Sequence, residues 1–201
     1  MKEAYVNRNS KYCYPNSNVL MNKLNIQNNK DLTYYEARIT AAKLLGLRFQ
    51  GITGNFDKAH LLAIHRYLFE DIYPFAGKLR DENIGKGAFR FASFEYIEPE
   101  LDRLLEQLKK ENYLENLSKQ QLAIKLAYYL SELNVLHPFR EGNGRTNREF
   151  IRQIALKNGY LLNLKKVAPK RTLEASIESI VDTRKLENII EECLEKNEDK
   201  K

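Results

Sequence analysis

His137-Pro138-Phe139-Arg140-Glu141-Gly142-Asn143-Gly144-Arg145-Thr146-Asn147-Arg148 places an imidazole, a carboxylate, a flexible turn and a set of arginines in one short stretch. The apolar run over 122–136 has helical spacing, and Pro138 disfavours helix just before it, so a helix should end near Leu136 with His137 at the boundary. Gly142-Asn143-Gly144 can adopt positive φ and lets several backbone N–H groups converge on one anion. A second helix should start at once, because residues 145–157 contain no breaker and Phe150, Ile151, Ile154 and Leu156 form an apolar face. An anion held by the turn would therefore meet a helix N-terminus, flanked by Arg145 and Arg148 three residues apart. Glu141 is placed to hold a magnesium ion shared with phosphate oxygens. His137 is the residue here whose ordinary pKa suits proton transfer near neutrality. Taken singly, these are ordinary features: a histidine before a proline, a glycine turn, two surface arginines. Together they conflict with local helix physics, since each arginine at a helix N-terminus opposes the macrodipole by roughly 0.3–1 kcal/mol unless an anion lies between them. Such conflicts concentrate at functional sites.

The remainder of the chain bounds the reading. Its 201 residues suit one domain with a sizeable core, and 43% hydrophobic with 30% charged residues is an ordinary soluble composition. A net charge of +6 and a pI near 9.1 suit an acidic partner, but the charge forms no basic arm, so nucleic acid is not expected as a direct ligand. The patch from Lys165-Lys166 to Lys170-Arg171 reads as a solvated loop. No stretch is long and apolar enough to span a bilayer and the N-terminus lacks a signal-peptide core, so no membrane partner and a cytoplasmic location are expected; delivery into a host cell would leave no mark in this sequence. Cys13 and Cys193 lack metal-ligand spacing and read as free thiols. His60 and His65 fall inside an apolar helical pattern with no third ligand at suitable spacing, and read as core or surface histidines.

The stretch from His137 to Arg148 matches, residue for residue, the motif of the Fic family of protein adenylyltransferases: His, any, Phe, any, Asp or Glu, Gly, Asn, Gly, Arg, any two, Arg. Leu68-Phe69-Glu70-Asp71-Ile72-Tyr73-Pro74-Phe75-Ala76-Gly77 also resembles the segment these proteins carry before their flap hairpin, so the resemblance spans roughly residues 31–197. It implies an all-α, compact helical bundle with one β-hairpin flap, in which residues 1–30 are an extension packing on the domain, 31–197 the Fic domain and 198–201 a frayed tail.

The resemblance also implies an activity: transfer of AMP from ATP to a Ser, Thr or Tyr hydroxyl of a target protein, with pyrophosphate leaving. His137 would be the base and Glu141 the Mg2+ ligand. The backbone of Gly142 to Gly144 with the Asn143 side chain would form the anion hole, and Arg145 and Arg148 would meet the β- and γ-phosphates. Phe139 would point into the core. The flap, here Gly85, Lys86, Gly87, Phe89 and Arg90, would hold the target segment by strand addition. Phosphate-transferring Doc relatives have Lys where this chain has Gly144, and a phosphocholine-transferring relative has Ala in place of Gly142; this chain keeps the adenylylating pattern. UMP or GMP transfer, or action mainly through a partner complex, are the alternatives. Many Fic proteins are inhibited by a glutamate in the pattern Ser or Thr, three of any kind, Glu, then Gly or Asn, which pairs with the second motif arginine. Glu187 fits, with Thr183 and Asn188, but inside an ordinary closing helix; Glu36 has Leu32 where Ser or Thr belongs. Otherwise a small antitoxin would supply the glutamate. Each would be expected to pair with Arg148.

The other expected elements are a short helical piece near residues 19–24, helices over 31–47 (opened by an Asp cap and weakened by Gly46), 57–71, 99–111, 118–136, 145–158, 172–181 and 184–195, and a hairpin within 80–96. Arg152 is expected to face solvent, and the charged end from Glu195 to fray.

Overall fold

The computed structural model of the chain describes residues 10–87 and 89–198. Residues 1–9 of the N-terminal extension, Ala88 and residues 199–201 of the tail lie outside the described residues. Helix α1 (Asn29–Gln50) is capped by Asn28, whose side chain accepts the Lys30 and Asp31 N–H groups, so the capping residue is this asparagine and not Asp31. It runs on through Gly46, where a Cβ would stand 2.7 Å from the Tyr67 hydroxyl; the missing side chain lets α1 approach helix α2 (Lys58–Phe69). Asp57 caps α2, which buries Leu61, Ile64, His65, Leu68 and Phe69 and ends two residues earlier than its apolar pattern suggests.

The hairpin pairs β1 (Gly85–Lys86) with β2 (Phe89–Arg90) antiparallel, in the register Gly85 to Arg90 and Lys86 to Phe89. Helix α3 (Phe94–Lys110) starts earlier than the expected 99, with Pro99 inside it. Its first backbone donor, Phe94 N–H, is taken by the Asn83 side chain 2.9 Å away. A long-range cap of this kind leaves no local sequence signal.

Helix α4 (Lys119–Leu136) begins with a capping box of Ser118 and Gln121. It is buried on most sides, through Leu122, Leu126, Tyr129, Leu130 and Leu133, and packs on α3, on α5 (Asn143–Lys157) and on α7 (Arg184–Cys193). Between α5 and α7 come strand β3 (Tyr160–Leu162) and helix α6 (Pro169–Glu178). The supposed loop of Lys165 to Arg171 is partly structured: Leu164–Lys166 form a 3-10 turn, and Lys170 and Arg171 lie in the first turn of α6.

Two sequence expectations are corrected at the chain ends. A second two-stranded sheet exists, because β4 (Leu194–Lys196) pairs with β3, Leu162 to Leu194 and Tyr160 to Lys196. Glu195 and Lys196 are therefore held, and α7 stops at Cys193. Three-residue strands are too short for alternation to show in sequence. Residues 19–24 form no helix: Leu20 bridges Cys13 in extended pairing, and the Lys23 N–H donates to the Ile72 carbonyl at 2.8 Å. Val19 and Leu20 are buried, so tertiary packing orders this segment. Cys13 and Cys193 are free and buried. No helix among the described residues is long and apolar enough to cross a membrane.

Candidate active site at the junction of α4 and α5

His137 is the C-cap of α4, in left-handed backbone geometry at φ 48°, ψ 60°, with its N–H still donating to Leu133 at 3.0 Å. A left-handed non-glycine residue is strained, and this one is held from outside. The buried Arg80 donates from Nε to the His137 carbonyl at 2.8 Å and from Nη2 to those of Leu136 and Ala92, while Nη1 reaches the Glu82 carbonyl. One guanidinium so ties the C-terminus of α4 to both flanks of the hairpin, and its charge complements the helix dipole. The Pro138 carbonyl is bound as well, by the Arg80 backbone N–H at 2.9 Å.

The imidazole of His137 lies flat on Phe91, ring centroids 3.7 Å apart and planes 17° apart. Its Nδ1 is 3.2 Å from the Asn134 carbonyl, and since a carbonyl only accepts, Nδ1 carries the hydrogen and the lone pair sits on Nε2. Burial pushes its pKa down to about 3, aided by the positive charges of Arg80 and Lys86 and opposed by the Asn134 hydrogen bond. The ring is neutral at pH 7, as a base must be.

The turn from Pro138 to Gly142 is rigid for reasons that reside in other elements. Phe139 is fully buried and stacks on His65, with centroids 3.8 Å apart and planes 4° apart. His65 accepts from the Gly77 N–H at Nδ1 and donates from Nε2 to the Glu141 carbonyl at 3.0 Å, and burial lowers its pKa to about 4. Asn143 is 1% exposed, and its amide brackets Phe139 at both backbone groups, 2.8 Å and 2.7 Å. The side chain so shapes the turn, because two buried backbone groups need it. Gly142 has φ 82°, and a Cβ there would overlap the Phe69 ring.

What remains for an anion is the start of α5. The N–H groups of Asn143 and Gly144 make no hydrogen bond among the described residues, whereas Arg145 and Thr146 N–H already donate to the Gly142 carbonyl. Glu141 accepts the Gly142 N–H at 3.0 Å and stands 3.5 Å from Arg145. The two motif arginines differ sharply. Arg145 pairs with Glu36 at 2.6 Å, donates to Thr40 Oγ1 at 3.0 Å and lies over the Phe69 ring. Arg148 is exposed and has no hydrogen bond or ion pair among the described residues.

Several sequence expectations change here. Glu36 does meet a motif arginine, but it is Arg145 and not Arg148, because Arg145 is the one that reaches Glu36 and Thr40 of α1. Glu187 stays on α7, accepting from Thr183 at 2.6 Å, and pairs with neither arginine. Arg152 is half-buried against Glu149, at 2.7 and 2.8 Å, instead of facing solvent. Gly85, Lys86, Gly87, Phe89 and Arg90 form the hairpin, whose base packs on His137 through Phe91, and the charge of Lys86 acts on the imidazole. Arg80, Phe91, Thr40 and Tyr73 carry no sequence signal of a role at the site, since each reaches it only through tertiary packing.

With this geometry in place, the comparisons with known proteins converge. The Fic/DOC family model matches residues 55–155. The chain is 36% identical over 176 residues to the Salmonella typhimurium protein named probable protein adenylyltransferase Fic, covering 88% of this chain and 87% of that one. It is 38% identical over 175 residues to the protein adenylyltransferase VbhT of Bartonella schoenbuchensis, covering 87% of this chain but 37% of that longer protein. The N-terminal Fic domain of a VirB-translocated Bep effector protein from Bartonella quintana, solved with bound ADP, superposes at a TM-score of 0.86 with 30% identity, over 94% of this chain and 96% of that one. The BepC protein of Bartonella tribocorum, solved with bound AMPPNP, gives 0.83 with 26% identity, over 92% and 96%. The chain belongs to the Fic/DOC family.

Proposed function

We infer that this chain is a protein adenylyltransferase, transferring AMP from ATP to a Ser, Thr or Tyr hydroxyl of a target protein and releasing pyrophosphate. One observation carries the reading: a neutral imidazole at the end of α4 and an anion-binding helix start on α5 are joined by the single turn 138–142. The base and the phosphate cradle are thereby fixed relative to each other. Relatives named as adenylyltransferases, and family domains solved with ADP and AMPPNP, support it.

In this reading Nε2 of His137 takes the proton of the target hydroxyl as its oxygen attacks the α-phosphorus. The bond from that phosphorus to the bridging oxygen breaks, and pyrophosphate carries away the electron pair. The backbone of Gly142 to Gly144 lines the anion hole, where the N–H groups of Asn143 and Gly144 are available to donate to it while that of Gly142 already donates to Glu141. Arg145 meets the β-phosphate and Arg148 the γ-phosphate. Among the described residues no group of three His, Cys, Asp or Glu could hold a metal alone. The donor set fits Mg2+ shared with phosphate oxygens, which Glu141 would hold and which would neutralise phosphate charge. The hairpin of Gly85, Lys86, Gly87, Phe89 and Arg90 presents the target segment. The open Arg148 leaves a place for a glutamate from a small antitoxin. ATP as co-substrate suits a cytoplasmic setting.

The test is incubation with α-labelled and γ-labelled ATP and magnesium in lysate, beside His137→Ala. Label from the α-position alone, lost in His137→Ala while that variant still binds ATP, is the expected result. Label from the γ-position that is lost in His137→Ala would make the chain a kinase, and His137-dependent label only from UTP or GTP would change the nucleotide.

A further inference from the structure

Glu36 is 3% exposed, deep enough that an unpaired carboxylate would be strongly disfavoured. Among the described residues two groups meet it: Arg145 Nη2 at one oxygen, 2.6 Å away, and the hydroxyl of Tyr73, itself 1% exposed, donating to the other. Thr40 completes the frame. It lies one turn along α1, donates to the Glu36 carbonyl at 2.7 Å and accepts from Arg145 Nη1 at 3.0 Å. Two separate nitrogens of one guanidinium are thus held by two residues of α1, and the Phe69 ring of α2 lies against its face, 4.7 Å from the central carbon. Held along one edge, the guanidinium can rotate little, and its remaining N–H groups point where the frame directs them. Arg148 has no such frame.

We propose that Glu36, with Thr40 and Tyr73 behind it, is a positioning residue that acts through Arg145, holding this arginine rigid for the inner phosphates of the nucleotide, while Arg148 is the adaptable contact for the terminal one. The proposal rests on the nucleotide-transfer reading above. It assigns Glu36 a supporting role and not an inhibitory one, because the carboxylate pairs with Arg145 and makes no contact with Arg148.

The experiment is calorimetric titration of the full chain with magnesium-loaded ATP and ADP, and with AMP. Wild type, Glu36→Gln, Tyr73→Phe, Arg145→Ala and the double variant Glu36→Gln/Arg145→Ala are compared below their melting temperatures. The wild type should prefer ADP to AMP. Glu36→Gln should reduce that preference about tenfold, the loss expected for a charge-assisted hydrogen bond, and Tyr73→Phe should reduce it less. In the Arg145→Ala background Glu36→Gln should have no further effect, which a merely structural role would not produce. The ratio of ATP to ADP affinity, assigned to Arg148, should stay unchanged. Additive losses in the double variant, an unchanged preference in Glu36→Gln, or increased label transfer by that variant would each overturn the positioning role alone. A wild type that binds none of the three nucleotides would overturn the transferase reading and this proposal together. If Glu36→Gln does not fold, Tyr73→Phe alone decides: the proposal stands if it weakens ADP binding but not AMP binding, and falls otherwise.

Discussion

Phe91 lies flat on His137, 3.7 Å between ring centroids. The hairpin's base and this imidazole are therefore one packed unit, and the hairpin contributes to the buried environment that keeps the imidazole neutral. The His137 pKa is depressed to about 3, so the neutral form persists far below the ordinary 6.5. Transfer should show no acidic limb from His137 between pH 5 and 8. Phe91→Ala, by admitting water, should move that limb back toward neutrality and slow transfer about tenfold at pH 7. A pH profile of labelling checks both, and an identical profile in the variant would show that the stack does not set the base.

His65 makes a pH prediction about stability instead. It is fully buried, and its pKa falls from 6.5 to about 4 in the folded state. The unfolded chain therefore binds a proton that the native chain refuses between these values, and the stability present above pH 6.5 declines as pH falls toward 4. The loss from this one group is about 3 kcal/mol at pH 4. Urea midpoints at pH 7 and pH 4.5 should differ accordingly, and less so in His65→Asn, which does not titrate.

Arg80 should be the most costly polar residue to remove. Its guanidinium serves the carbonyls of Glu82, Ala92, Leu136 and His137, and it is 2% exposed. Arg80→Met orphans all four, at a cost of about 1–3 kcal/mol for each buried group left unpaired, with relaxation reducing the sum. We expect a lowered melting temperature and lost transfer together. Arg80→Lys should rescue only part of the stability, because one ammonium cannot span four acceptors.

Gly142 offers a packing test. A Cβ there meets the Phe69 ring at a backbone φ of 82°. Gly142→Ala should therefore destabilise by about 1–3 kcal/mol, and Phe69→Leu in the same chain should recover part of it. Equal thermal stability of Gly142→Ala and wild type would refute the overlap.

Helices α2, α4 and α5 were legible because periodic apolar faces and local caps, such as Asp57 and Ser118 with Gln121, lie within a few residues of what they govern. The start of α3 was not, since Asn83 caps it from across the hairpin. Nor was the β3–β4 sheet, whose short strands carry no period.

At the site, sequence alone determined the composition: an imidazole, a carboxylate, a glycine turn and two arginines in one contiguous motif, held together by chain connectivity. Only the tertiary structure decided how they are used. It closed Asn143 on Phe139, laid Phe91 on His137, clamped the end of α4 with Arg80, and brought Glu36 of α1 to Arg145 across a sequence separation of 109 residues. Hydrogen bonds, desolvation and ring stacking act through distances in space, and a linear spacing records such distances only where a single helix or turn spans them.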